Sequence, residues 1–151
     1  GWAEPSIKAV REALTYDNSA SMAKAVALLA QGTALLELRR FREAEGVLGQ
    51  VRSLTGRRLL AQAELYELLA RALRGASGAL DALVAAQPAT EALRAHRHFC
   101  LAKARAEQGD AAGEAEELAK AELLAREHAR SLLPAISRQK HKVVTAPVAR
   151  A

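Results

Sequence analysis

LLELRRFREAEGVL, residues 35–48, carries an apolar helical pattern into a basic knot, Arg39-Arg40, and resumes it at once at Phe41. Met22, Val26, Leu29 and Leu36 share one face of the incoming helix, at the spacing of an amphipathic α-helix. Phe41, Ala44, Val47, Leu48 and Val51 do the same for the outgoing one. Cations at the end of the first helix suit the negative end of its dipole. Two helices joined by so short a connection must run antiparallel. The stretch therefore reads as a helical hairpin.

The same reading extends in both directions. Pro5 suits a first helical turn, and a helix is expected over 5–16 with Ile7, Val10 and Leu14 on one face. YDNS at 16–19 is read as a break, with Asn18 or Ser19 capping a second helix to 38. The hairpin's second arm is expected over 41–54, stopped by Thr55-Gly56. Further helices are expected over 58–74, 79–86, 89–108 and 111–132. Their stops and starts are GASG at 75–78, Pro88, Gly109 with Asp110 as a cap, and Pro134. Beyond Pro134, RQKHKVVTAPVARA at 138–151 lacks a helical period and is read as a basic tail or linker. The expectation is an all-α fold of about seven helices, with one domain at 1–137 and a tail at 138–151.

Composition agrees. Half of the 151 residues are hydrophobic and only five are aromatic, so the core is expected to be leucine and alanine. Ala, Leu, Glu, Arg and Gln are good helix formers. No run approaches 18 unbroken apolar residues, so no membrane span is expected. The single cysteine, Cys100, allows no internal disulfide and suits a reducing compartment; the expected location is cytoplasmic. The net charge is +5. Four of the 22 basic side chains, Arg138, Lys140, Lys142 and Arg150, lie in the last 14 residues with no acid among them. That leaves 18 basic against 17 acidic in the rest, so the basic character belongs mostly to the tail. A nearly neutral body argues against a nucleic-acid surface on the folded part.

Helical hairpins recur along the chain. In the first, Leu28, Gly32, Leu35, Ala44 and Leu48 fall at separations similar to those of the tetratricopeptide-repeat framework, and the resemblance implies that the small Gly32 and Ala44 lie where two helices cross. A second unit carries Leu65, Leu68, Leu69 and Ala72. A third carries Leu101, Ala102, Ala104, the turn QGD at 108–110, then Ala115, Leu118 and Ala121. The units are about 33–37 residues apart, which resembles the tetratricopeptide repeat with its 34-residue period. REALTYDNS at 11–19 is similar to the end of such a unit, so the chain reads as an excerpt from a longer protein.

The resemblance implies stacked antiparallel hairpins in a right-handed superhelix, with the first helix of each unit lining a concave face that receives a peptide, a helix or another protein. Carried onto this sequence, the groove positions are Leu29, Thr33, Leu36 and Glu37 in the first unit, and His96, Phe99, Lys103 and Glu107 in the third. The plainer reading of Leu29, Leu36 and Phe99 is that they are core. The chain is expected to be a non-catalytic interaction module whose partner is a protein, a peptide or a second copy. A regulatory segment of a larger bacterial transcription regulator and a small chaperone for a secreted client are the alternatives. Nucleic-acid contact through Arg138, Lys140 and Lys142 is the weakest.

HRHFC at 96–100 holds the only cluster of metal-ligand types. His96 and Cys100 share a helical face, but no CxxC or HExxH pattern supplies further ligands. Arg39, Arg40, Arg42, Arg57 and Arg58 gather at hairpin ends and read as solvated surface. No glycine-rich phosphate loop or nucleophile–base pair is present. No catalytic residue, metal or cofactor is expected.

Overall fold

The computed structural model describes the backbone of residues 3–54 and 57–145, and the side chains of 20–54 and 59–142. The elements are α1 (Ala3–Glu37), α2 (Phe41–Gln50) with a 3-10 turn Val51–Ser53, α3 (Arg57–Leu73), α4 (Ala79–Ala85), α5 (Glu91–Glu107), α6 (Ala111–His128) with a 3-10 turn Arg130–Leu132, and α7 (Leu133–Thr145). Among the described residues there is no strand.

The basic knot turns the chain by local hydrogen bonding. Arg39 sits in the left-handed region at φ 59°. The Arg40 amide donates to the Leu35 carbonyl at 2.9 Å, and the Arg39 amide to Leu36 at 3.1 Å. These are the paired 6→1 and 5→2 bonds of a Schellman end, which satisfy carbonyls the helix would otherwise leave open. The same pair closes α3 through Ala76 to Arg71 and Gly75 to Ala72, and α5 through Asp110 to Arg105 and Gly109 to Ala106. Gly75 and Gly109 have φ 84° and 76°. The left-handed residues 39, 75 and 109 lie 36 and 34 residues apart, so the hairpin turn itself repeats. Asp110 then caps α6, its carboxylate accepting the Gly113 amide at 2.8 Å. Thr90 caps α5 by accepting from Leu93 at 3.2 Å.

α1 packs on α2, α3 on α2 and α5, and α5 on α6, while α7 rests on α6. The core is continuous and aliphatic; Leu48, Leu69, Leu83, Leu118 and Ile136 are its largest fully buried side chains. Ala44 and Leu48 are fully buried where α1 crosses α2. A Cβ on Gly32 would lie 2.5 Å from Leu48 Cδ2 and 2.6 Å from its Cγ, so glycine is what lets the two helices approach. The C-terminal ends of α1, α3, α5 and α7 meet around one small pocket of about 270 Å³, with Glu37, Leu73, Glu107 and Lys142 on its wall.

Among the described residues the helices number seven, but they divide the chain differently from the expected set. Where the pattern predicts two helices, 5–16 and 19–38, α1 is continuous. YDNS lacks glycine and proline, and Asp, Asn and Ser cost a helix interior only fractions of a kcal/mol each, roughly 0.7 at most. REALTYDNS is thus helical and does not end a unit. At the other end, Pro134 starts a helix instead of stopping one. It occupies the first turn of α7, where its missing N–H costs nothing. The stretch read as a tail is helix as far as residue 145, including Arg138, Lys140 and Lys142. With α1 unbroken there is no helix start for Asn18 or Ser19 to cap. Residues 146–151, the Thr55-Gly56 stop and the side chains of Arg57 and Arg58 lie outside the described residues.

Candidate binding groove

The odd-numbered helices enclose a half-open cavity of about 780 Å³. α1 contributes Val26, Leu29, Ala30, Thr33, Ala34, Leu36, Glu37 and the following Leu38. α3 adds Gln62 and Tyr66, and α5 adds His96, Phe99 and Lys103. Ser131, Leu132, Ala135 and Arg138 form the opposite wall. Seven of the eight expected groove residues, Leu29, Thr33, Leu36, Glu37, His96, Phe99 and Lys103, thus share one concavity. The eighth, Glu107, lines the adjacent small pocket instead. Its carboxylate takes both Arg39 guanidinium nitrogens, at 3.0 and 2.7 Å.

Within the cavity, burial separates floor from rim. Leu29, Leu36 and Phe99 are 7%, 5% and 3% exposed and belong to the core, as the plainer reading has it. They form an apolar floor. The surface open to an occupant includes Ala30, Ala34 and Leu38, which are not among the expected groove positions, and Val26, which the spacing puts on the inward face with Met22 but which is exposed, as Met22 is. Thr33 is half-buried and its hydroxyl donates to its own helix, at Ala30 O, 3.0 Å away.

Two polar arrangements sit in this apolar setting. Tyr66 and His96 are buried side by side, with Tyr66 Oη 2.7 Å from His96 Nδ1 and the rings edge to face at 5.6 Å. Burial lowers the imidazole to about 4, so His96 is neutral at pH 7. Burial likewise raises the Tyr66 phenol well above its ordinary value. The pair is a neutral hydrogen bond between α3 and α5.

The second arrangement closes the C-terminal end of the groove. Lys103 donates to Glu37 and, at 3.2 Å, to Gln139 Oε1. Its ammonium also lies 5.3 Å from the centre of the Phe99 ring. Lys142 donates to the other oxygen of Glu37. Gln139 Nε2 donates to the buried Glu114 carboxylate at 2.6 Å. Burial alone would raise the Glu37 carboxyl, but the two lysines bonded to it outweigh that and hold it below its ordinary range. Burial lowers the Lys103 ammonium, against the opposing pull of Glu37. α1, α5, α6 and α7 are thereby tied together through side chains.

The HRHFC cluster is dispersed by the helix. His96 faces Tyr66, His98 Nδ1 lies 2.6 Å from Glu117 Oε2, and Cys100 is fully buried, which raises its thiol. Among the described residues no three His, Cys, Asp or Glu side chains are grouped to hold a metal ion. No helix among them is long and apolar enough to cross a membrane. Of the basic cluster at the hairpin ends, Arg39 is paired with Glu107, and Arg40 with Glu43 at 2.7 Å. Lys140 is paired with Glu122 on α6. Comparison with family models, curated proteins and solved structures returns no match.

Proposed function

We propose that this chain is a non-catalytic protein-interaction module, a right-handed stack of tetratricopeptide-like hairpins whose concave side receives a peptide or helical segment. The observation that carries the reading is the joining of both sets of resemblance-derived positions, one from α1 and one from α5, in a single concavity. The repeat of the hairpin turn at 36 and 34 residues supports the stacking. The concavity has the size of a ligand-binding cleft, about 300–1,000 Å³, and the mostly apolar lining of one. The buried thiol suits a reducing, cytoplasmic setting. The regulator-segment and chaperone readings are versions of this one, differing in what the module is attached to and what it holds.

Ala34 is exposed on the cavity wall, so Ala34→Trp fills the seat without disturbing the core. The test pans phage-displayed random peptides, about a dozen residues long, in parallel against the wild type and Ala34→Trp. Clones retained by the wild type and weakened by about tenfold or more on the variant are expected. Failure to select any clone, or clones that bind both proteins equally, would remove the groove from consideration.

A further inference from the structure

We propose that the groove selects an acidic peptide segment, one that packs large apolar side chains on the floor and sets a carboxylate against Arg138. The inference rests on the groove reading above and adds the chemistry of the occupant.

Among the described residues three charged side chains line the cavity: Glu37, Lys103 and Arg138. Glu37 is already shared by Lys103 and Lys142. Lys103 is only 12% exposed and is engaged by Glu37 and Gln139. Arg138 alone has no ion-pair or hydrogen-bond partner among the described residues, and it is exposed. Its neighbours on α7 behave differently: Lys140 and Lys142 each hold a glutamate from another helix. An unpaired guanidinium at the edge of an apolar seat is a fork with five donors and no acceptor on the described part of this chain, the geometry that takes a carboxylate in two parallel bonds.

The rest of the seat suits a polypeptide. The Gln62 amide and the Ser131 hydroxyl also lack a side-chain or backbone partner among the described residues, and both line the cavity. Together they offer a donor and an acceptor to a peptide backbone. A nucleic acid is a poorer fit, because its affinity comes from many phosphate contacts and the described wall presents a single unpaired cation in an apolar surround.

Clones that distinguish the wild type from Ala34→Trp are sequenced, synthesised with a fluorescein label and titrated by anisotropy. Acidic residues beside the apolar positions are expected to be enriched. Replacing the acidic residue by its amide is expected to weaken binding by about fivefold, as for an accessible ion pair. Arg138→Gln should cost a similar factor with the acidic peptide and nothing further with the amide, and Arg138→Glu should favour a lysine peptide. Clones with no acidic preference, or a preference untouched by Arg138→Gln, overturn the assignment while leaving the groove intact. If no clone distinguishes the wild type from Ala34→Trp, the groove itself fails and this inference fails with it.

Discussion

Gly32 and His96 show two ways in which one side chain sets the terms for its neighbours. At Gly32 the constraint is steric. A methyl group would press on Leu48, which is fully buried and has nowhere to go. Overpacking costs about 1–3 kcal/mol, and the better helix propensity of alanine returns about 1. Gly32→Ala is therefore expected to lower stability by roughly 1 kcal/mol, a fall in Tm of about 2–4 °C by calorimetry. Leu48→Ala should cost less in that background than in the wild type, because it removes the clash. This contact was legible through the resemblance, whose framework puts small residues where the two helices cross. The Tyr66–His96 pair was not, because a hydrogen bond between residues 30 apart leaves no period. Its consequence is a pH dependence. The folded imidazole titrates near 4 and an unfolded one near 6.5, so between those values the unfolded chain binds more protons. Stability should be flat above about pH 6.5 and fall as the pH drops toward 4, by up to ~3 kcal/mol. His96→Gln should lose the slope between about pH 5 and 6.5 in denaturant titrations. Both proteins should weaken further below about 4.5, where Glu37, Glu45, Glu107 and Glu122, all held below their ordinary range, take up protons. An unchanged slope in the variant would mean that His96 is solvated.

At the scale of elements, the hairpin turns were readable and the ends of the chain were not. QGD at 108–110 works because glycine accepts the left-handed region and aspartate caps α6, a purely local agreement. Asp110→Ala should cost about 1 kcal/mol by urea unfolding, the usual worth of such a cap. α7 escaped because its evidence is not local. Its basic residues look like a solvated run in sequence, yet Gln139, Lys140 and Lys142 each find a partner on another helix. Gln139 is the sharpest case. It is 7% exposed and provides the hydrogen bond to Glu114, itself 5% exposed. Gln139→Ala would leave that buried carboxylate without its donor, at a cost of about 1–3 kcal/mol. A urea midpoint equal to that of the wild type would show that water replaces the amide.

At the scale of the molecule, one cavity gathers positions from α1 and α5, both named by the resemblance. Ser131 and Leu132, which the pattern put in the last helix, and Ala135, which it put in the domain, line the groove as well, and Arg138, from the stretch read as a tail, supplies its unpaired charge among the described residues. Arg138 was read only as part of a basic tail for the same reason that α7 was read as one. The Glu37 node has a further consequence for how the molecule comes apart. In a stack where each hairpin touches only its neighbours, stability adds up along a line and the ends can fray alone. In the stack proposed above, Lys142, reaching Glu37 from 105 residues away, ties the end of α7 back to α1. Closed in this way, the array should open as one cooperative unit. In amide hydrogen exchange, Glu37→Gln should release the C-terminal turn of α1 and α7 together, while the middle of α3 keeps its protection.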